Sequence, residues 1–308
     1  MLRLVALAAA MVLTWTTLEL RPVEAAPVID VDGGVPRTGV ALRAAVAKHG
    51  IDGNVWLGKL RSVGGKRDTL VYVPRGLDPS RVIDLVVYME GHGSFQDDAM
   101  DHRHAASIAR LGGNRVFIAP DAPSSSHGSR KAKNPYWQRG CAERRCAGGH
   151  AAPGDFVAFL GEVRARVAAM SGADAGTLQF RLSLIGFSNG GKGIVNAVAQ
   201  LVAVDFVVGG APVRIGDVIF ADANYGASWL GDTWRVLAAR PELPRLTILV
   251  GNGQSNRQRA AAFWNVVAPG ASAPARLRLV PLTLGHHPIG DVAVDYLAPA
   301  EAPAVASS

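Results

Sequence analysis

The sequence has only two cysteines in 308 residues, too few for a small domain held together by disulfides. Aromatic residues make up 6%, which argues against a stacking platform for single-stranded nucleic acid, so no nucleic-acid partner is expected. Charged residues are sparse at 19% while hydrophobic ones reach 49%, the reverse of a disordered chain. No repeat of roughly 20–50 residues is visible. The 35 glycines follow no Gly-X-Y period, which excludes collagen. Beyond the N-terminus no apolar run reaches the roughly 18 residues that span a bilayer, so no stable membrane span is expected there. The net charge of +7 arises from 32 basic against 25 acidic residues. Spread along the chain, it favours anionic surroundings without naming one.

The N-terminus reads as a signal for export. Met1, Leu2 and Arg3 form a short cationic start, an apolar stretch follows over residues 4–18, and Val23-Glu24-Ala25 places small residues where a signal peptidase cuts. Cleavage after Ala25 is expected, and a secreted or periplasmic location with it. An uncleaved anchor is the alternative, weakened by Thr14, Thr16, Thr17 and Glu19 within or beside the apolar stretch. In an oxidising compartment Cys141 and Cys146, separated by four residues, are expected to pair as a local disulfide. That spacing without a second cysteine pair is a poor zinc site.

Short apolar runs then alternate with helical patterns. Strands are expected over 54–60, 69–74, 82–89, 115–119, 179–185, 218–221, 245–250 and 276–282. Helices are expected over 98–111, 155–170, 189–202, 229–239, 256–267 and 289–297. The segment 120–150 has no period, holds both cysteines, and is long for a loop. Strands alternating with helices imply an α/β architecture, a mostly parallel sheet covered on both faces. One domain over 27–297 is expected, with a disordered tail over 298–308 rich in Ala, Pro and Ser.

The chemistry concentrates at Gly186-Phe187-Ser188-Asn189-Gly190, between a strand and a helix. A Gly-x-Ser-x-Gly spacing suits a tight, strained turn that lifts a serine oxygen off the carboxyl edge of a sheet. Small flanking residues avoid clashes there, and the next N–H, at Asn189, faces a developing oxyanion. Glu90-Gly91-His92-Gly93 follows the run VVYM, and Gly285-His286-His287-Pro288 follows the last strand. With these three motifs, over nearly the whole mature chain in strand order, the sequence resembles the α/β-hydrolase superfamily. The resemblance implies a Ser188 nucleophile and a second oxyanion N–H from Gly91, His92 or Gly93. It also implies a histidine base in the last motif, with His286 favoured over His287 because the base often follows a glycine there; His287 would then shape the pocket.

The usual position for the acid, after the penultimate strand, holds Gly251-Asn252-Gly253-Gln254 and no carboxylate. One strand earlier Asp222 stands at a strand's carboxyl end, where some members of the superfamily carry it, and the order Ser, Asp, His is kept. Asp222 as a turn or helix cap, and Asn252 as a neutral orienter, are the alternatives; Asp291 lies too close after His286. Tyr225 and Trp137, the latter beside Tyr136 in the long loop, are further candidates for lining the pocket. Asp101-His102-Arg103-His104 offers several ligand types, but neighbours on a helix do not share a face, so a polar surface is expected and no metal. The basic loop residues Arg130, Lys131, Lys133, Arg139, Arg144 and Arg145 read as solvated, with recognition of an anionic or polar substrate as the alternative.

Together these imply an exported serine hydrolase acting on a carboxylic ester, with no cofactor and a small-molecule, polysaccharide or lipid ester as partner. Amide or peptide cleavage and acyl transfer use the same residues. A non-catalytic binding protein of the envelope on the same fold is the rival from another class.

Overall fold

Ile83-Asp84-Leu85-Val86-Val87-Tyr88-Met89 is buried at every position, as an apolar run must be when both faces of its sheet are covered. It forms one of the central strands of a nine-stranded sheet. The structure, a computed structural model, describes residues 29–31, 48–60, 62, 68–90, 104–120, 156–224, 228–242, 244–268 and 276–299. The strands are β1 (Ile29–Val31), β2 (Gly53–Lys59), β3 (Asp68–Pro74), β4 (Ile83–Met89), β5 (Arg115–Pro120) and β6 (Phe180–Phe187). A two-stranded ribbon of β7 (Val207–Val208) and β8 (Ala211–Pro212) precedes β9 (Arg214–Ala221), β10 (Arg245–Val250) and β11 (Leu277–Pro281). The large sheet runs β1-β2-β3-β5-β4-β6-β9-β10-β11. Within this sheet, among the described residues, only β3 runs antiparallel to its neighbours.

The helices are α1 (Ala105–Arg110), α2 (Phe156–Ser171), α3 (Gly190–Ala203), α4 (Trp229–Ala238), α5 (Gln254–Val267) and α6 (His286–Val292), followed by a 3-10 turn, Ala293–Tyr296. Strand alternation sorts the core. Leu85, Val87, Leu184 and Phe220 pack on one face with Phe156, Phe159 and Val163 of α2, Ile194 and Leu201 of α3, Leu230 of α4 and Ala260 of α5. Val86, Tyr88, Ile185 and Ile219 face the other way, onto Ile108 of α1 and Ile289, Ala293 and Val294 near the C-terminus. No helix among the described residues is long and apolar enough to cross a membrane.

Most expected elements lie within one to three residues of the observed ones. Three differ more. β9 starts at Arg214 rather than 218: Gly216 and Asp217 break the apolar run, but Arg214 and Ile215 pair with β6 ahead of a register shift and Asp217 pairs with Arg245 of β10. The Asp217 carboxylate is satisfied in place by Arg245 at 2.8 Å and the Ala298 N–H at 2.9 Å. That second bond ties down Ala298, the first residue of the expected tail. The last helix begins at His286 rather than 289, which puts the histidine pair in its first turn.

Candidate active site

The serine turn is made by close approach of backbones. A Cβ on Gly186 would lie 2.8 Å from the Gly190 carbonyl carbon and oxygen. A Cβ on Gly190 would run into the Met89 carbonyl at the end of β4, and one on Gly191 into the Ala223 carbonyl. Ser188 between them has φ 53°, a left-handed conformation that a non-glycine residue holds only under constraint. Its N–H donates to the Ala221 carbonyl at 3.1 Å, and its carbonyl accepts from Gly191 N–H at 3.2 Å. Ser188 is 7% exposed. The Asn189 N–H, at the start of α3, has no acceptor among the described residues.

Register brings the other groups to the same edge. Phe187 pairs with Ala221, and Ala221 with Leu249, so Ser188, Asp222 and Val250 emerge side by side at the carboxyl ends of β6, β9 and β10. Asp222 has φ 47° and is 3% exposed. Its Oδ2 lies 2.6 Å from Nδ1 of His286. Its Oδ1 accepts from the Gly251 N–H at 3.3 Å and from Asn256 Nδ2 at 2.9 Å.

This strand order, with one antiparallel strand near the edge and a strained serine at the end of a central strand, decides the architecture. The chain has the α/β-hydrolase fold. Within that fold α6 carries the histidines, and its seat is specified. Gly290 has no room for a Cβ against Tyr88 and Phe187, and its carbonyl accepts from the Tyr88 hydroxyl at 3.0 Å. The Phe187 ring stacks on His286 at 4.7 Å between centroids. His286 is one-third exposed and His287 is exposed, its ring 5.5 Å from that of His286.

The structure thus joins Asp222 to His286 by a hydrogen bond and His286 to the serine turn through Phe187. No hydrogen bond joins Ser188 Oγ to the imidazole among the described residues; such contacts are often loose in unliganded hydrolases and tighten around substrate. Asn252, the alternative orienter, is engaged elsewhere: Nδ2 donates to the Thr283 carbonyl at 3.0 Å and Oδ1 accepts from Arg257 at 3.0 Å. The Asp291 carbonyl accepts from Arg110 at 3.1 Å. Gly91, His92, Gly93, Trp137, Tyr225, Cys141 and Cys146 lie outside the described residues.

His104 corrects one expectation. It is not part of a polar surface but fully buried, edge-on to Tyr88 at 5.3 Å and near Phe117 at 5.7 Å. Its Nε2 is 3.5 Å from Oε1 of Glu90, the residue that leaves β4 towards the glycine loop. A lone buried histidine needs such company, and its helix packs on the apolar side of β4 and β5. Among the described residues no group of three or more ligand side chains could hold a metal.

No protein-family model matches the sequence and no curated protein does. Solved structures do resemble it. An S-formylglutathione hydrolase from Agrobacterium tumefaciens shares 15% identity over 78% of this chain and 91% of its own, with a TM-score of 0.48. A Pyrobaculum calidifontis esterase shares 14% over 84% and 89%, with a TM-score of 0.46. An IroE-like serine hydrolase from Shewanella oneidensis shares 11% over 79% and 78%, with a TM-score of 0.47. The fold assignment stands on the strand order and the serine turn.

Asn256 and Asn224 escaped the sequence reading. Both are buried polar residues, and Asn224 Nδ2 donates to the Asn256 carbonyl at 2.7 Å. The available signal was a pair of asparagines close to strand ends, where polar side chains need a reason to be buried.

Proposed function

We propose that this chain is a serine hydrolase that cleaves a carboxylic ester through an acyl-enzyme on Ser188. The observation that carries the reading is the 2.6 Å contact between Asp222 and His286 beside a serine held at φ 53°. In this reading Ser188 Oγ attacks the ester carbonyl and its proton passes to His286 Nε2. Asp222 holds the imidazole by Nδ1, fixing the tautomer that accepts at Nε2. The oxyanion accepts from the Asn189 N–H and from an N–H of the 91–93 loop, a contribution often among the largest in acyl transfer. Collapse expels the alkoxide, which takes the proton from His286. Water then attacks the acyl group and gives its proton to the same imidazole; collapse releases the acid and expels Ser188 Oγ, which takes that proton back.

Export belongs to the same proposal, with Ala26 as the first residue of the mature protein; N-terminal sequencing of protein from the culture medium or envelope tests it. Activity is tested with a fluorophosphonate probe and p-nitrophenyl esters of increasing chain length. Wild type is expected to label and turn over, while Ser188→Ala and His286→Ala do neither above background. Asp222→Asn is expected to lose on the order of 10⁴-fold in kcat while folding normally. A wild type that neither labels nor hydrolyses any ester sinks the reading. It would favour the binding-protein alternative, which the lack of a carboxylate in Gly251-Asn252-Gly253-Gln254 supports.

A further inference from the structure

We infer that Asn256, backed by Asn224, is the positioning residue that aims the Asp222 carboxylate at His286; this rests on the hydrolase reading above. Asp222 sits one strand before the position where the fold most often carries its acid. At that more usual position, the end of β10, this chain places donors instead. The Gly251 N–H and the Asn256 amide, in the first turn of α5, both end on Asp222 Oδ1, at 3.3 and 2.9 Å. With Oδ1 occupied twice, the carboxyl group is held in one rotation and Oδ2 is the oxygen left for His286 Nδ1. Asn256 Nδ2 also lies 3.4 Å from the Asp222 carbonyl, so one amide grips both the backbone and the side chain of a residue at φ 47°.

Three further observations point the same way. Asn256 is 4% exposed and Asn224 1%. Their Oδ1 atoms are buried without a partner among the described residues. Burial takes each amide out of water, and what engages the Asn256 amide there is the bond from Nδ2 to Asp222. Second, the bond from Asn224 Nδ2 to the Asn256 carbonyl pins the first turn of α5 to the loop that follows Asp222. Third, Gly251 must be small: a Cβ there would lie 2.5 Å from Ile289 Cδ1 and 3.0 Å from the Leu284 carbonyl. The donors from β10 and α5 thus fit against α6 without displacing His286. The clamp is neutral. A cationic donor in the same place would grip Asp222 equally well, but would cancel the negative charge that stabilises an imidazolium during acyl transfer.

The test compares Asn256→Asp, Asn256→Leu and Asn256→Gln with wild type, using p-nitrophenyl acetate hydrolysis and the rate of fluorophosphonate labelling. Asn256→Asp has the size of wild type but loses the amide donor, and Asn256→Gln keeps the donor on a longer stem. Loss of aim should lower kcat about 10- to 100-fold in Asn256→Asp and Asn256→Leu. KM should stay within about threefold, because Asn256 touches no substrate, and Asn256→Gln should recover part of the loss. An independent readout is the far-downfield proton resonance of the short Asp222–His286 hydrogen bond, expected in wild type and Asn256→Gln and lost in Asn256→Asp. Wild-type kcat and an intact resonance in Asn256→Leu, which has no donor, would overturn the inference and leave the hydrolase reading standing. An inert wild type that nevertheless shows the resonance, lost in Asn256→Asp, would overturn the hydrolase reading and keep the clamp as a structural fact.

Discussion

Ser188 and Asp222 are both non-glycine residues at positive φ, 53° and 47°, and both are expected to store roughly 1–3 kcal/mol of backbone strain. Structure and chemistry conflict at these two positions, which gives a direct experiment. Ser188→Gly should abolish labelling yet raise unfolding free energy by about 1 kcal/mol, since glycine adopts that conformation without the Cβ penalty; a variant no more stable than wild type would contradict strain at the turn. Gly190→Ala should do the opposite. Its Cβ meets the Met89 carbonyl, so the turn must open against β4, and a loss of about 1–3 kcal/mol by urea denaturation is expected along with most activity. Unchanged stability there would mean that the backbone yields more readily than its packing implies.

At the scale of elements, the site depends on how β9 and β10 are held relative to each other. Glu242, in the turn between α4 and β10, reaches across to β9. Its carboxylate accepts from Arg240 at 2.9 Å and from the Ile215 N–H at 3.4 Å. Burial alone would raise its pKa, but the bonds from Arg240 and from the backbone N–H groups, with the Arg240 charge, outweigh it and leave it lowered. A carboxyl with a depressed folded pKa adds stability above its unfolded value, about 4.3, and loses it as pH falls through the folded one. The Tm gap between wild type and Glu242→Gln should therefore be widest above about pH 5 and shrink in more acid solution. A gap that does not change with pH would mean the interaction owes nothing to the charge.

Across the whole molecule, the polar groups divide between the two ends of the sheet. The carboxyl ends of the parallel strands carry Ser188, Asp222 and, after β11, His286. The amino ends carry a buried ionic network. Asp84 accepts from Ser183 at 2.7 Å, Arg181 at 2.9 Å and Arg115 at 3.3 Å. Beside it Asp217 binds Arg245, and the Ala298 carbonyl accepts from Arg115. A cavity of about 390 Å³ lined by Val82, Leu85, Leu182 and Arg214 also opens at this end, away from the serine. Removing one member of a buried network leaves the others uncompensated, so Asp84→Ala should cost about 3–5 kcal/mol. Measured per folded molecule, kcat/KM should not change; a large loss would show that the two ends communicate through β4 and β6.

What the sequence determined by itself is what neighbours along the chain encode. The apolar runs placed the eight main strands, and the glycine spacing at 186 and 190 placed a strained serine between a strand and a helix, because a turn that tight tolerates little else. The chain order of Ser188, Asp222 and His286 was equally visible. Tertiary structure decided whatever depends on partners far apart in sequence. Asp222 meets Asn256 and His286 across 34 and 64 residues, and no local pattern carries such a pairing. Which of two adjacent histidines faces the carboxylate depends on where α6 begins, since one residue along a helix turns a side chain by about 100°. The burial of His104 and the early start of β9 were hidden for the same reason. Polar residues inside a fold are acceptable only when distant groups satisfy them, and those groups come together only when the sheet is assembled.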